Sequence, residues 1–305
     1  MEESILIVDG TAVAYRAFFA LRDMSTREGK PTNAIFGFVR MLKQLESQWK
    51  PDRTVVAFDG GSPAHRLEKC PEYKAQRTPM PDELRGQLGA IDEYLDAAGI
   101  PWILLKGQEA DDVMATLAER GAAEGATVRL ATSDKDLMQL VGERVKIVPP
   151  TLAKEELDAA GVEAKTGVKP GQIVDWLALI GDSADNIPGV GGIGPKTATK
   201  LLARFGTLGE CLARAGEIES ASVREKLLAG RATAELNVEL MTLDRDVPGV
   251  PGWGDIPAPR PDAERLKAFF EKYELHRFLA EAERRPVAPQ RTASKRPDGG
   301  QMSLF

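Results

Sequence analysis

Short apolar segments alternate with longer amphipathic segments through the first half of the chain. The short segments are bounded by turn residues, which predicts strands. They are residues 4–9, 53–58, 101–105, 127–132 and 144–148. The amphipathic segments predict helices at residues 11–22, 32–48 and 109–124. This alternation is typical of a doubly wound, mainly parallel sheet, so the predicted fold class is α/β.

The connection between Gly60 and Gly99 is too long to be a simple loop. Prolines interrupt its first half, and basic residues are spread along it. The basic residues are His65, Arg66, Lys69, Lys74, Arg77 and Arg85. A segment of this length in a compact domain is usually a functional loop or a lid, so we expect it to cover a site.

Beyond residue 150 the strand signals fade and amphipathic helices follow. They are predicted at residues 170–180, 195–204, 207–215, 221–229 and 262–284. We therefore expect a catalytic domain over residues 1–165 and a helical subdomain over residues 166–284. Residues 285–305 are rich in Pro, Arg, Lys, Ser, Gly and Gln. This tail is predicted to be disordered because it cannot bury enough apolar surface to fold.

Acidic residues follow the predicted strands. Asp9, Asp59 and Asp134 end three of the apolar runs, and Glu109 comes a few residues after a fourth. The other members of the set are Asp111, Asp112, Asp136, Asp182 and Asp185. Because ligands of parallel sheets sit at the carboxyl ends of the strands, we expect all nine carboxylates to converge on that edge.

Nine converging carboxylates would repel one another unless cations were present. Two magnesium ions about 4 Å apart would suit this oxygen-rich set and would support phosphodiester hydrolysis, with manganese as a substitute. The chain has 2 His and 2 Cys, so a zinc site is not expected. Alternatively, the acids at 109–112 and at 134–136 each do no more than cap a helix.

The overall charge of the chain is compatible with a nucleic-acid partner. A net charge of -6 and a pI near 5.3 argue superficially against one. Two divalent ions would offset about four negative charges where a phosphate enters, so a phosphodiester substrate remains compatible. No apolar run approaches the ~18 residues of a membrane span, and the amino terminus enters a strand at once. We therefore expect a cytoplasmic protein with no membrane partner.

A glycine-rich segment follows the last two acids of the set. Asp182 and Asp185 are three residues apart and would share a face if helical. The next residues predict a tight hairpin and a helix amino terminus whose amides and lysine could face a phosphate. They are Gly189, Gly191, Gly192, Gly194, Lys196 and Thr197. The alternative is a plain glycine-rich connection between two helices.

Three further groups are candidates for contacts. Tyr73, Lys74 and Arg77 combine a ring with two cations, as in many single-strand contacts, unless they are only a solvated loop. Arg16, in a predicted helix, could reach the acidic edge. Apolar side chains end the tail, which makes sense if a partner's pocket buries them. The terminal residues are Gln301, Met302, Ser303, Leu304 and Phe305.

These motifs resemble those of the 5′-nuclease family, the flap endonucleases that include the amino-terminal domain of bacterial DNA polymerase I. The resemblance covers about residues 3 to 285. The matching blocks are Ile7-Val8-Asp9-Gly10, Ala57-Phe58-Asp59, Glu109-Ala110-Asp111-Asp112, Thr132-Ser133-Asp134-Lys135-Asp136 and Gly181-Asp182 through Thr197-Ala198. It implies a PIN-like α/β catalytic domain, a helical arch at about 61–99, and a subdomain with a helix-hairpin-helix at about 187–204.

The resemblance also implies a role for each candidate residue. A first metal ion would be organised by Asp9, Asp59, Glu109, Asp111 and Asp112, and a second by Asp134, Asp136, Asp182 and Asp185. Lys74 and Arg77 would contact phosphates, and Tyr73 would stack on a base near the cut. The helix-hairpin-helix would grip duplex DNA, with a potassium ion held by hairpin carbonyls. The terminal pentapeptide resembles the peptide that binds the bacterial sliding clamp.

The expected activity is that of a stand-alone, magnesium-dependent 5′-3′ exonuclease and flap endonuclease. It would act as a monomer on branched DNA with a 5′ flap, and on RNA primers annealed to DNA, in replication and repair. One alternative is a non-catalytic branched-DNA binding factor, which the complete acid set disfavours. The other is a single-strand ribonuclease, which would not be expected to carry a helix-hairpin-helix.

Overall fold

Five parallel strands form the central sheet. The computed structural model describes residues 3–21, 24–151 and 155–284. The strands are β1 (Ser4–Asp9), β2 (Arg53–Phe58), β3 (Trp102–Leu104), β4 (Thr127–Ala131) and β5 (Val145–Val148). Their order across the sheet is β3-β2-β1-β4-β5. The prediction of an α/β protein with a parallel sheet is confirmed.

The register aligns the carboxyl ends of the central strands. Ile7 lies beside Val55 of β2 and beside Leu130 of β4. The strand order changes direction at β1, which leaves β2 on one side and β4 on the other. In doubly wound sheets a crevice opens at such a switch point, outside the carboxyl ends of the strands. The acids that follow β1, β2 and β4 therefore face a common crevice.

Helices cover both faces of this sheet because its strands are apolar on both sides. Ile5 and Ile7 of β1 belong to one buried cluster, and Leu6 and Val8 belong to the other. The helices of the first half are α1 (Gly10–Ala20), α2 (Asn33–Trp49), α3 (Ala64–Lys69), α4 (Asp82–Ala98) and α5 (Ala110–Ala123). Helix α5 packs against the first face, whereas α1, α2 and α4 pack against the second.

The second half of the chain is mostly helical, and its part up to Ile256 shares the α5 side of the core. Its helices are α6 (Ala159–Thr166), α7 (Ile173–Ile180), α8 (Pro195–Phe205), α9 (Leu208–Ala213), α10 (Ala221–Ala229), α11 (Arg231–Met241), α12 (Ala263–Lys272) and α13 (His276–Arg284). A short antiparallel pair, β6 (Gly181–Asp182) and β7 (Ile187–Pro188), lies between α7 and α8. Short 3₁₀ helices lie at Asp136–Leu140, Pro170–Gln172, Ala215–Glu217 and Trp253–Asp255. Helices α6 and α11 lie where no helix was predicted.

The last two helices pack against the first half of the chain. A single helix was predicted over 262–284, but Glu274, with φ 51°, separates α12 from α13. The Phe278 ring lies 5.1 Å from that of Phe36, and the Phe269 ring lies 5.7 Å from that of Tyr94. The division at residue 165 stays a prediction. Within the described ranges, no helix combines the length and apolar character needed to cross a membrane.

Candidate metal and nucleic-acid site

Asp9 lies where β1 passes into α1, at the centre of the switch point. Its Oδ1 accepts a hydrogen bond from the amide of Ala12 at 2.8 Å, which caps the first turn of α1. Its Oδ2 accepts one from Thr132 Oγ1 at 3.3 Å. The strand end and the helix start thus fix the orientation of this buried carboxylate.

Asp59 and Asp134 follow the two strands that flank β1. Asp59 Oδ1 accepts a hydrogen bond from the Ala110 amide at 2.9 Å, which joins it to the first turn of α5. Asp134 Oδ1 accepts one from the Asp136 amide at 2.9 Å. Backbone amides therefore hold both side chains at the edge before any ligand arrives.

Five of the nine predicted acids form no ion pair with any described residue, and we call them the central carboxylates. They are Asp9, Asp59, Asp111, Asp134 and Asp136. Asp136 Oδ1 is buried and has no hydrogen-bond partner among the described residues. A buried carboxylate oxygen without a partner is costly, so this atom is poised to receive a ligand or a proton.

The pKa values of these acids reflect burial first and mutual repulsion second. Burial, with the charges of Asp59 and Asp134, raises the pKa of Asp9 to about 7. Burial and neighbouring carboxylates raise the pKa of Asp136 to about 8. The same causes raise the pKa values of Asp111 and Asp134. The site is therefore short of positive charge.

We expect the free energy of unfolding of the metal-free protein to fall as pH rises from about 5 to about 8. In this window the folded protein retains protons on Asp9 and Asp136 that the unfolded chain has already released. Each retained proton contributes a loss of up to about 1.4 kcal/mol per pH unit. Urea unfolding in the presence of a chelator measures this slope. A free energy of unfolding that stays level or rises toward pH 8 would contradict the raised pKa values of Asp9 and Asp136.

The other four acids each contact a basic side chain, and we call them the paired carboxylates. They are Glu109, Asp112, Asp182 and Asp185. Lys74 Nζ lies 2.7 Å from Glu109 Oε1. Although burial opposes it, Lys74 together with Arg66 holds the pKa of Glu109 below its usual value.

Asp112 is engaged by a basic side chain in this structure, and its role in organising a metal ion, directly or through water, stays a prediction. Both of its oxygens accept hydrogen bonds from the Arg66 guanidinium, at 2.7 and 2.8 Å. Asp112 Oδ1 also accepts one from the Asp244 amide at 2.9 Å. Its side chain is fully buried, so Asp112 is a structural partner of Arg66.

Arg66 is the centre of a buried ion-pair network, and its sequence context assigns it no particular role. It is 1% exposed and is the largest fully buried side chain among the described residues. Besides Asp112, it donates to Glu109 Oε2 at 2.7 Å and to the carbonyls of Leu240 and Thr242, which lie at the end of α11. It thus connects α3, α5 and α11. In the sequence it looks like any other basic residue of its segment.

Tyr73 does not present its ring to a nucleic acid. The ring is 5% exposed and packs in the core on the α5 side. Its hydroxyl donates a hydrogen bond to Glu109 Oε2 at 2.9 Å. In this structure the hydroxyl and the apolar ring are both engaged inside the protein, and the stacking of Tyr73 on a base stays a prediction.

Residues 70–77, which we call the arch base, are docked onto the turn at residues 183–186. The Lys74 amide donates to the Asp185 carbonyl at 3.0 Å, and Asn186 Nδ2 donates to the Glu72 carbonyl at 2.7 Å. Arg77 NH2 lies 2.5 Å from Asp185 Oδ1. Lys74 and Arg77 are thus brought to the acidic edge, and their contact with phosphates stays a prediction.

The predicted arch at about 61–99 divides into a part before Asp82 and a long helix. From Asp82 onward the chain forms α4, whose residues Leu84, Ile91 and Leu95 are fully buried. Gln87 Oε1 accepts a hydrogen bond from the Ala34 amide at 2.9 Å, which ties α4 to the start of α2. The segment over the site is therefore the part before α4, and the prolines at its end lead directly into that helix.

Asp182 and Asp185 meet without being helical. The condition that they be helical is not met, because Asp182 lies in β6 and the chain turns before β7. One carboxylate oxygen of each lies within 4.8 Å of the others and of one from Asp136. Lys135 Nζ lies 3.0 Å from Asp182 Oδ1.

Arg16 also reaches this edge from α1. It is exposed, and its NH2 donates to Ser133 Oγ at 3.3 Å, beside Asp134. By contrast, the terminal residues Gln301, Ser303, Leu304 and Phe305 lie outside the described residues. Their assignment to a clamp-binding peptide stays a prediction.

The hairpin between α7 and α8 requires a close backbone approach at Gly189. A Cβ there would lie 2.3 Å from the Ile180 carbonyl carbon, whereas one on Gly191 would meet no atom within 4 Å. Gly191, Gly192, Gly194 and Lys196 are exposed, Thr197 is half-buried, and Pro195 begins α8. The predicted hairpin thus presents backbone groups to solvent.

We expect Gly189→Ala to weaken DNA binding and to lower thermal stability, and Gly191→Ala to change stability little. The first substitution forces the hairpin apart because the added Cβ clashes with backbone at 2.3 Å. We expect a loss of about 1–3 kcal/mol, the usual cost of overpacking. Thermal unfolding and a duplex DNA titration measure both effects. Equal stability of the two variants would contradict the close approach.

The donor set fits hard divalent cations. The central carboxylates offer only oxygen ligands, and Asp136 contributes a buried oxygen that lacks a partner. Neither His65 nor His276 belongs to the group of three acids that could hold an ion. Magnesium and manganese prefer such oxygen sites.

A parallel sheet with an acidic, cation-fitting edge beside a glycine-rich hairpin defines a metal-dependent nuclease architecture. The model of the 5'-3' exonuclease N-terminal resolvase-like domain matches residues 4–167, and that of the 5'-3' exonuclease C-terminal SAM fold matches residues 168–264. The chain belongs to the 5′-3′ exonuclease family. The predicted resemblance and the nuclease activity are confirmed at this level.

Relatives and solved structures agree with this family. The chain is 39% identical to the 5'-3' exonuclease of Aquifex aeolicus over 282 residues, which are 92% of this chain and 96% of that protein. It is 39% identical to the thermostable DNA polymerase I of Thermus thermophilus over 278 residues, 91% of this chain, and spans only 33% of that protein.

The fold is similar to that of two solved nucleases. A T5 5'-exonuclease with bound zinc has a TM-score of 0.65 at 23% identity, covering 92% of this chain and 98% of the other. The catalytic core of Rad2 in complex with a DNA substrate has a TM-score of 0.63 at 21% identity, covering 92% of each chain. At these identities the likeness concerns the fold.

Proposed function

We propose that this nuclease is a magnesium-dependent flap endonuclease and 5′-3′ exonuclease acting on branched DNA and on RNA primers annealed to DNA. The observation that carries the proposal is the set of central carboxylates, which lie unpaired beside the cations of the arch base. This arrangement places basic side chains, which can bind a phosphate, beside carboxylates that can hold divalent ions. Such a substrate belongs to DNA replication and repair in the cytoplasm.

Two bound magnesium ions, or manganese in their place, would lower the pKa of the attacking water and stabilise the leaving 3′ oxygen. Asp9, Asp59, Asp111, Asp134 and Asp136 are the proposed ligands. Asp182 and Asp185 complete the second site through the group they form with Asp136. Glu109 acts mainly by holding Lys74 and Tyr73 in place.

Lys74, Arg77 and Arg16 are the proposed phosphate contacts. Lys74 is the candidate for stabilising negative charge on the phosphorus in the transition state, because its side chain is 11% exposed and such charges act most strongly where water is excluded. The Arg77 side chain is 50% exposed and Arg16 is exposed, so both can follow an entering strand. No protein side chain is required as the nucleophile.

The hairpin at 189–197 is proposed to bind the backbone of the duplex beside the cut. Exposed glycines and the α8 amino terminus offer amides to phosphates, with Lys196 next to them. A potassium ion held by hairpin carbonyls would strengthen this contact. Phosphate contacts position a duplex without reading its sequence, so the protein is proposed to recognise the shape of the branch.

Cleavage of a 5′-labelled double-flap DNA tests this proposal. With magnesium, the wild-type protein should cut at the branch, while the same strand as a plain duplex should lose only short products from its 5′ end. Asp134→Asn keeps the acceptor for the Asp136 amide but removes a charge, so it should bind the flap without cutting it. Tight binding without cleavage by the wild type, in magnesium or manganese, would favour the non-catalytic binding factor.

We expect the tail to tether a monomeric enzyme to a bacterial sliding clamp through residues 301–305. Leu304→Ala combined with Phe305→Ala should abolish retention of the full chain on an immobilised clamp, because both apolar side chains would be lost from the pocket. Gln290→Ala in the same tail is the matched control. Equal retention of the wild type and the double variant would remove the tether.

A further inference from the structure

Basic side chains occupy the carboxylates of the second cation site. Lys74 Nζ lies 3.6 Å from Asp185 Oδ2, and Arg77 NH2 lies 2.5 Å from Asp185 Oδ1. Lys135 Nζ lies 3.0 Å from Asp182 Oδ1. We call Lys74, Arg77 and Lys135 the resident cations. Of the three acids that group there, Asp136 alone forms no ion pair with a described residue.

These ion pairs and a bound divalent ion would use the same carboxylate oxygens. Both oxygens of Asp185 face basic groups, and Asp182 Oδ1 faces Lys135. An ammonium or guanidinium group beside a divalent ion would also be repelled by it, strongly so where the side chains are buried. Asp182 and Asp185 are both buried. The resident cations and the ion are therefore competitors.

The backbone couples this competition to the position of the arch base. Lys74 has φ 55°, a left-handed conformation that is unfavourable for a residue with a Cβ atom. Its amide is held by the Asp185 carbonyl at 3.0 Å. Loss of the side-chain contacts to Asp185 removes part of what holds this strained turn, so the arch base would be freed together with its cations.

We propose that the resident cations neutralise the carboxylates of the second cation site in the metal-free protein. When a divalent ion binds, they leave these carboxylates and become available to substrate phosphates. The inference rests on the proposed function, since the phosphates are those of the nucleic acid. Until the ion binds, the phosphate-binding side chains would be held in ion pairs with Asp182 and Asp185. Binding of the divalent ion and release of the side chains that bind the nucleic-acid strand would therefore occur together.

Isothermal titration with manganese ions, without DNA, tests the competition in the full chain. Lys74→Met should raise the affinity of the weaker site by about tenfold or more, because one competing charge within a few ångströms is removed. Lys74→Arg keeps the charge and should bind manganese as the wild type does. Lys272→Met is the matched control, since Lys272 pairs with Glu93, which is not one of the nine acids. Unchanged or weaker binding by Lys74→Met, in a variant whose thermal unfolding remains cooperative, would overturn the proposal.

Hydrogen exchange of the peptide covering residues 70–81 tests the release. In the wild-type protein, manganese should speed exchange at Lys74, whose amide is bonded to Asp185 without the ion. Slower or equal exchange with manganese would overturn the proposal. Both measurements are independent of cleavage. A protein that binds manganese in this way but fails to cut flap DNA would refute the proposed function and leave the exchange of cations standing.

Discussion

Asp136→Asn is expected to abolish cleavage while making the metal-free protein more stable. The substitution removes a proposed ligand, and we expect a loss of about a thousandfold or more in rate, since bound metal ions contribute several kcal/mol to transition-state stabilisation. Burial and three neighbouring carboxylates raise the pKa of Asp136 to about 8, so its charged form is disfavoured in the folded state. A neutral side chain of the same shape avoids that cost.

The size of the stability gain depends on pH. At pH 8 we expect about 1–3 kcal/mol, and at pH 5 a smaller change, because Asp136 is already protonated there. Chemical unfolding in a chelator, at both pH values, measures the difference. Asp246→Asn is the control, since that side chain is 92% exposed. A loss of stability in Asp136→Asn at pH 8 would contradict the assignment of Asp136 to an uncompensated acidic centre.

Arg66→Met is expected to have the opposite effect on stability, with a loss of about 3–5 kcal/mol. Removing one partner of a buried ion pair leaves the other charged and unsolvated, here both Asp112 and Glu109. Cleavage should be lost as well, because Glu109 orients Lys74 and Tyr73. Arg66→Lys should recover only part of the stability, since an ammonium cannot reproduce the two-pronged contact with Asp112.

Two variants make the Arg66 prediction sharper. Arg85→Met breaks an ion pair with Asp82 in which the side chains are 60% and 94% exposed, and should cost at most about 1 kcal/mol. Adding Asp112→Leu to Arg66→Met removes one stranded charge and should restore part of the loss. Urea unfolding of the wild type, Arg66→Met, Arg85→Met and the Arg66→Met/Asp112→Leu double variant compares their free energies of unfolding. An Arg66→Met variant as stable as Arg85→Met would show that the buried network contributes little.

The sheet and its acidic edge follow from local pattern. Short apolar runs ending in aspartate are enough to predict parallel strands, and the geometry of such sheets brings Asp9, Asp59 and Asp134 together. For Asp182 and Asp185, the helical spacing considered from the sequence is not what the structure shows. A β-turn rather than a helix brings those two side chains to Asp136.

Pairing within the edge could not be predicted, because it depends on side-chain direction in the folded chain. Asp111 and Asp112 are adjacent in sequence, yet successive side chains of a helix point about 100° apart. Asp111 therefore joins the central carboxylates, whereas Asp112 points at Arg66. Tyr73 is a similar case, since its ring could face solvent or the core. The packing of α12 and α13 on α2 and α4 also depends on contacts distant in sequence.

The cleavage rate as a function of free magnesium concentration tests the central claim most directly. Single-turnover cleavage of a 5′-labelled double-flap DNA should be absent in a chelator. It should rise with nearly the second power of magnesium at low concentration and then saturate, as expected when two ions bind to the central carboxylates and their neighbours. Cleavage that persists without divalent ions, or no cleavage at any magnesium concentration, would contradict the account.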